Sequence, residues 1–192
     1  MQKLLLIKHA PPRIDPAVPS PRWTLSDPGR ERCGWLAGEM KAHGVTRLFA
    51  SLEPKALETA ALAATRLGLA VEPRAGLEEN DRTGFGFGTE DELRAAIRAF
   101  FDRPSEIVMG RQSADTAYAR YRAAVAGCAA SAAGAPLAIV THGTVLTLLT
   151  SRHNTLDPFD FWASLRLPSY IVLDAANFRL DGPVHNYPPD PP

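Results

Sequence analysis

Two histidines in this chain each follow a short apolar run of the kind that forms a buried β-strand. His9 ends the run at residues 4–9, and His142 follows the run at residues 137–141. In an open α/β sheet, ligands bind outside the carboxyl ends of the strands. An imidazole at such an end can act as a nucleophile or stabilise a reacting anion. A single histidine there is more often structural, but two, far apart in sequence, predict one composite catalytic site.

Strands and helices alternate along the chain, which predicts an α/β three-layer sandwich with a mostly parallel central sheet. The predicted strands are residues 4–9, 47–50, 70–72, 137–141 and 170–173. The predicted helices run from Ser26 to about 42, over 54–67, from Thr89 to about 101, from Ser113 to about 132, and from Gly143 to about 152. We expect one domain over residues 1–192, with a proline-rich tail at 181–192.

Two long segments lack a helix or strand pattern. Residues 10–24 contain five prolines, which excludes a helix or a central strand because proline lacks the amide donor and fixes φ. Residues 74–88 end in Gly-Phe-Gly-Phe-Gly, which indicates either a flexible lid or a plain linker. The glycine spacing does not match a dinucleotide-binding fingerprint.

Composition excludes several classes of partner. Lys plus Arg equals Asp plus Glu, 21 each, so no basic field favours nucleic acid. No apolar run approaches the ~20 residues that span a bilayer, and the first residues are too short for a signal peptide. Cys33 and Cys128 lie in helix-like stretches without CxxC spacing. We therefore expect a cytoplasmic protein that binds no membrane, no metal and no cofactor.

The histidine segments and three other stretches resemble the histidine phosphatase (phosphoglycerate mutase-like) superfamily. Lys8-His9-Ala10 stands where that family carries Arg-His-Gly. The other matching stretches follow in the family's order at residues 25–30 (LSDPGR), 51–60 (SLEPKALETA), 77–79 (LEE) and 140–143 (VTHG). The resemblance covers residues 3–175 and implies the family's fold.

The resemblance also implies roles for individual residues. His9 would be the nucleophile, and His142 would stabilise charge on the phosphoryl oxygens. Gly143 begins a helix whose free N–H groups suit an anion. Glu79 stands at the general acid's position and would need a raised pKa, from burial or from neighbouring negative charge such as the phosphate. The neighbouring Glu78 could take this role instead, and an acidic surface loop is the alternative to both.

Two lysines depart from the family pattern. Lys8 and Lys55 stand where the family has arginines that bind phosphate, and lysine supplies the charge without the planar bidentate fork. Both lysines could hold phosphate as point charges, or the site could have lost efficient chemistry. The loop after His9 also differs, with Pro11, Pro12 and Asp15 where the family commonly has Glu, Thr and Asn.

Three loop arginines, Arg13, Arg22 and Arg82, could bind an anionic substrate or could simply be solvated.

Together these observations predict a metal-independent phosphatase that hydrolyses a phosphomonoester through a phosphohistidine on His9. Its partner would be a small phosphorylated substrate or a phosphoprotein. The alternative is a non-catalytic or weakly active member of the same fold that binds a phospholigand.

Overall fold

The computed structural model describes residues 1–86 and 88–189, and these residues form a central sheet flanked by helices on both faces. Its six strands are β1 (Lys3–Lys8), β2 (Arg47–Ala50), β3 (Val71–Pro73), β4 (Leu137–Thr141), β5 (Ser169–Asp174) and β6 (His185–Asn186). They are ordered β3-β2-β4-β1-β5-β6. The pairs among β1 to β4 are parallel, and the pairs that β5 makes with β1 and β6 are antiparallel. The predicted mostly parallel sheet is confirmed.

The flanking helices are α1 (Asp27–Ala42), α2 (Pro54–Leu67), α3 (Glu90–Asp102), α4 (Ala114–Ser131), α5 (Gly143–His153) and α6 (Pro158–Ser164). Strand β1 shows how they divide between the faces. Leu5 and Ile7 pack in a core cluster with α1 and α2, whereas Leu4 and Leu6 pack in a cluster with α3 to α6. Alternate residues of a strand point to opposite faces, so the predicted three-layer sandwich is confirmed.

Three of the helices begin at the caps that the sequence predicts. The hydroxyl of Ser26 accepts a hydrogen bond from the Gly29 amide, and the hydroxyl of Ser113 accepts one from the Thr116 amide. Thr89 forms a capping box with the glutamate at the third helical position. Such caps satisfy amides that have no partner within the helix, which fixes where each helix starts.

Short elements differ from the prediction. The proline-rich segment 10–24, predicted to hold no helix, contains a single 3₁₀ turn at Ser20–Arg22, where proline is tolerated because the first turn needs no amide donor. Helix α6 and strand β6 were not predicted, because seven and two residues are too short to show a period. Strand β6 lies within the segment predicted as a proline-rich tail.

The glycine-rich segment 84–88 is described except at Phe87, which lies outside the described residues. Phe85 packs against the core cluster on the α3 side of the sheet. The choice between a lid and a linker stays a prediction. Within the described ranges, none of the helices has the length and apolar character needed to cross a membrane.

The sheet brings three strand ends to one edge. Strands β1 and β4 are parallel neighbours, and the amide of His9 donates to the Thr141 carbonyl at 3.0 Å. On the other side of β4, the amide of Ser51 donates to the Val140 carbonyl at 2.9 Å. The residues that follow β1, β2 and β4 therefore meet at the carboxyl edge of the sheet, where a ligand site is expected.

Candidate active site

His9 and His142 lie side by side at this edge. Their rings meet edge to face, with centroids 5.3 Å apart and an interplanar angle of 62°. Both are buried, with exposed fractions of 7% and 1%. The structure therefore brings together the two histidines that the sequence singles out.

The hydrogen bonding of His9 leaves one ring nitrogen suited to nucleophilic attack. Nδ1 lies 2.8 Å from the Ala10 carbonyl oxygen, and a carbonyl only accepts, so we assign the proton to Nδ1. Nε2 then carries the lone pair. Burial, followed by the cost of charging the ring next to His142 and Lys55, holds the pKa of His9 well below its usual value. The ring is therefore neutral at physiological pH, which is the form that can attack a phosphorus atom.

His142 presents an unsatisfied nitrogen. Its Nε2 lies 2.8 Å from the buried hydroxyl of Ser51, whereas its buried Nδ1 has no hydrogen-bond partner among the described residues. Burial and the charge of Lys55 lower its pKa to about 3. Buried polar atoms are almost always paired, so an orphan nitrogen beside His9 fits a site that binds a polar ligand.

The two predicted phosphate-binding lysines are close enough for their charges to act on His9. The ammonium of Lys8 donates to the Leu165 carbonyl at 2.8 Å, and burial lowers the pKa of Lys8 to about 8 despite the nearby carboxylate of Glu79. The buried ammonium of Lys55 donates to the Ser20 carbonyl at 2.8 Å. Each lysine is therefore anchored by a backbone oxygen.

Glu79 lies at the start of helix α5. Its two carboxylate oxygens accept the amides of Thr144 and Val145, each at 3.1 Å, and Arg82 lies 3.4 Å away. Burial alone would raise the pKa of Glu79, but Arg82, His142 and the Thr144 amide outweigh it and hold the pKa below its usual value. Burial therefore does not raise this pKa in the site without a ligand, because the helix amides and the guanidinium stabilise the charged form. The raised pKa that the role of general acid needs, with a phosphate bound, stays a prediction.

The alternative general acid, Glu78, faces elsewhere. Its carboxylate accepts the Gly76 amide at 2.7 Å and lies 3.6 Å from Arg120. The third acidic residue of this loop, Asp81, accepts the Thr83 amide and is exposed. Of the three carboxylates, that of Glu79 is the one whose charge is found to act on His142, which favours Glu79.

Gly143 allows a close approach at the first position of helix α5. A Cβ atom at Gly143 would lie 3.2 Å from the Cε atom of Lys8, so a side chain here would crowd the lysine. The free amides of this helix were expected to suit a phosphate. In the structure, two of them already bind the carboxylate of Glu79.

Among the three loop arginines, Arg82 contacts Glu79 and the start of helix α5. Its guanidinium donates to the Thr144 hydroxyl at 2.8 Å and to the Asn80 side chain at 3.2 Å, in addition to its contact with Glu79. Arg13 and Arg22 are exposed. From the sequence, all three arginines were equal candidates for binding an anion, because only the folded path of the loop decides which arginine reaches helix α5.

Glu53 is a site residue that sequence reasoning missed. Its buried carboxylate binds the ammonium of Lys55 through Oε2. Its Oε1 accepts the Glu79 amide at 2.8 Å and lies 3.5 Å from Nε2 of His142. The sequence feature that could have identified Glu53 is its place in the matched stretch at residues 51–60, two positions before Lys55.

An open cleft of about 440 Å³ lies beside Lys8. Its lining includes two further basic residues, Arg32 and Arg166, together with Tyr187. Among residues 1–86 and 88–189, no group of three or more His, Cys, Asp or Glu side chains could hold a metal ion. A neutral imidazole near lysine and arginine side chains can in principle act as a nucleophile toward a bound anion.

The sequence matches the family model described as "Histidine phosphatase superfamily (branch 1)" over residues 17–179. No curated protein matches the chain in a sequence search. Solved structures share the fold at low identity, as three examples show. A mycobacterial glucosyl-3-phosphoglycerate phosphatase in complex with VO3 is 21% identical with a TM-score of 0.75, over 95% of this chain and 98% of that one.

Two further neighbours come from other organisms. A mutant phosphoserine phosphatase from Entamoeba histolytica, in complex with phosphoserine, is 16% identical with a TM-score of 0.72 over 91% of each chain. An alpha-ribazole phosphatase from Shigella flexneri is 17% identical with a TM-score of 0.68 over 90% of each chain. At these identities the similarity shows a shared fold.

Proposed function

Because this chain belongs to the histidine phosphatase superfamily (branch 1), we propose that it is a phosphatase that hydrolyses a phosphomonoester through a phosphohistidine on His9. One observation carries the proposal. The neutral ring of His9, with its lone pair on Nε2, lies next to the ring of His142, whose buried Nδ1 has no hydrogen-bond partner among the described residues. A nucleophilic imidazole next to a second buried imidazole supports binding of a phosphoryl group at this edge of the sheet.

In the first step, Nε2 of His9 attacks phosphorus as the bond from phosphorus to the leaving oxygen breaks. The electron pair stays on that oxygen, which takes a proton from Glu79. In the second step, water attacks the phosphohistidine and gives a proton back to Glu79. The electrons of the phosphorus–nitrogen bond return to His9, and inorganic phosphate leaves. This sequence divides one displacement into two easier ones.

Glu79 can act as the acid only when its pKa rises. Without a ligand, its carboxylate is stabilised by Arg82 and by the amides at the start of helix α5. A phosphoryl dianion bound nearby adds negative charge and competes for Arg82. Both effects favour the protonated carboxyl group, so substrate binding itself prepares the acid.

The basic lining of the cleft beside Lys8 supports a leaving group that carries negative charge. A leaving group extending into it would meet Lys8, Arg32 and Arg166. Three basic side chains suit a leaving group that carries a carboxylate or a second phosphate. Small phosphorylated acids are therefore the substrate class to test first, followed by phosphoproteins.

A panel of phosphomonoesters, assayed with and without EDTA, tests the proposed reaction. We expect turnover of at least one phosphorylated acid, unchanged by EDTA. Rapid quenching with labelled substrate should leave acid-labile, base-stable phosphate on the peptide that contains His9. The matched variants are His9→Ala, expected to lose turnover, and His153→Ala, which removes a histidine that bonds to Tyr118 away from the site.

Three results would contradict this mechanism. They are loss of turnover with EDTA that a divalent ion restores, wild-type turnover in His9→Ala, and label on Ser51 or Cys33 instead of His9.

The second candidate function is a phospholigand-binding protein without efficient catalysis. The lysines at positions 8 and 55 and the pairing of Lys55 with Glu53 favour it. Binding of a phosphorylated panel member by wild-type protein, without turnover of any member, would support this alternative over the phosphatase.

A further inference from the structure

Glu53 places a negative charge inside a site that the proposed function assigns to an anion. The side chains of Glu53 and Lys55 are both more than nine-tenths buried, and Lys55 Nζ donates to Glu53 Oε2. The other carboxylate oxygen lies 3.5 Å from His142 Nε2, so the pair borders the two histidines.

The charges around the neutral histidines nearly cancel. Lys8, Lys55 and Arg82 supply three positive charges, whereas Glu53 and Glu79 supply two negative ones. The charge of Arg120 also acts on His142, but Arg120 is paired with Glu78 at 3.6 Å. Because Lys55 and Glu53 are in contact, a phosphoryl group that enters this site is attracted by the lysine and repelled by the glutamate at similar distances. In a buried site such opposing charges interact strongly, because solvent screens them little.

The charge of Glu53 is not demanded by its hydrogen bonds. Its contact with the Glu79 amide, at 2.8 Å, needs an acceptor oxygen and could be made equally by a neutral glutamine. A buried ion pair adds little net stability, because desolvation offsets the attraction between the charges. The charge of Glu53 instead compensates that of the buried Lys55, at the place where an anionic ligand would otherwise do so.

We infer that Glu53 is a specificity-determining residue. Its carboxylate acts as an internal counter-anion for Lys55 and lowers the affinity of the site for the phosphoryl group. The inference rests on the proposed function and deepens it. Because the phosphoryl group is held weakly, inorganic phosphate leaves readily after hydrolysis. Substrate affinity must then come largely from the leaving group, so free phosphate binds poorly relative to the phosphomonoester.

The test measures binding of inorganic phosphate by calorimetry at neutral pH, which requires no turnover. Glu53→Gln removes the charge and keeps an acceptor for the Glu79 amide. Glu53→Met removes both the charge and the acceptor. We expect both variants to bind phosphate at least tenfold more tightly than the wild type, with phosphate becoming a correspondingly stronger inhibitor of turnover.

Glu58→Gln is the matched control. It makes the same change on helix α2, where Glu58 pairs with Arg30 at 3.1 Å instead of with a lysine of the site. We expect its phosphate affinity to equal that of the wild type. Tighter binding in Glu53→Met but not in Glu53→Gln would show that the lost hydrogen bond, rather than the charge, is responsible, and would overturn the inference.

The remaining outcomes separate this inference from the proposed function. Turnover by the wild type with equal phosphate affinity in all variants overturns the inference alone. Absence of both turnover and phosphate binding in every protein overturns the two together. Loss of the folded circular-dichroism spectrum in both Glu53 variants also overturns the inference about Glu53, since its charge would then be needed for folding.

Discussion

The rings of His9 and His142 meet edge to face, 5.3 Å apart, at the adjacent ends of two parallel strands. Both are buried, and each has a lowered pKa. Burial disfavours the charged form of each ring, so both are neutral at physiological pH. The positive charge that a phosphoryl group needs must then come from lysine and arginine.

We expect kcat/KM to fall as pH rises above about 8, because Lys8 loses its charge there. Lys8 is protonated below its pKa and neutral above it, so binding of an anion weakens on the alkaline side. Lys8→Arg should keep the charge throughout, because arginine does not deprotonate in proteins. Profiles of kcat/KM report the free enzyme and provide the measurement. If kcat/KM of Lys8→Arg falls with the same midpoint pH, the alkaline fall is due to the titration of another group.

Glu79→Gln should affect substrates according to their leaving groups. We compare kcat/KM, because it reports the steps up to formation of the phosphohistidine and leaves out its hydrolysis, in which Glu79 takes a proton from water for every substrate. For an alkyl phosphate, whose leaving oxygen needs a proton, we expect kcat/KM to fall by roughly 100-fold or more, the scale of lost general acid catalysis. For p-nitrophenyl phosphate, whose phenolate departs without a proton, the loss should be much smaller. Glu78→Gln, whose carboxylate faces Gly76 and Arg120, should change neither rate strongly. Equal losses for the two substrates in Glu79→Gln would exclude the role of acid.

Acid should destabilise the fold through His142. Its pKa is 6.5 unfolded and about 3 folded, so the unfolded chain takes up a proton as pH falls through 6.5 while the folded chain does not. The folded state therefore loses stability as pH decreases below 6.5, by about 2 kcal/mol at about pH 5. Urea unfolding at neutral and acidic pH measures this loss. His142→Gln should lack this part of the pH dependence, and an unchanged dependence would refute the assignment.

The start of helix α1 should control the segment that follows His9. A Cβ atom at Gly29 would lie 2.1 Å from the Pro11 carbonyl oxygen, which also accepts a hydrogen bond from Ser26. We expect Gly29→Ala to lower the free energy of unfolding by ~1–3 kcal/mol, the usual cost of overpacking. It should also lower kcat/KM, because Pro11 lies two residues after His9.

Gly38→Ala is the control for this change within the same helix. No atom outside its own helix turn lies within 4 Å of a Cβ atom built at Gly38. Alanine is the better helix former by up to ~1 kcal/mol, so this variant should be slightly more stable than the wild type. A stable and fully active Gly29→Ala would show that the Pro11 contact does not constrain the site.

Much of the framework was predictable from local patterns. Strand β4 and helix α2 have the boundaries that the sequence predicts, because a buried apolar run and a helix bounded by Pro54 and Gly68 are encoded in neighbouring residues. The same reasoning placed His9 and His142 at strand ends. The rule that parallel strands share a carboxyl edge was then enough to predict that the two histidines meet.

The electrostatic arrangement of the site was decided by the tertiary structure alone. Nothing in the sequence distinguishes Arg82 from Arg13, or shows that Glu79 binds the amides of helix α5. The pKa of Glu79 in the site without a ligand is low for this reason, since the direction of a pKa shift depends on which charges and donors the fold brings near. The pairing of Glu53 with Lys55 likewise depends on burial, which removes the water that would otherwise separate them. Periodicity and caps are local properties of the chain, whereas charge pairing at a buried site depends on distances that only the folded chain sets.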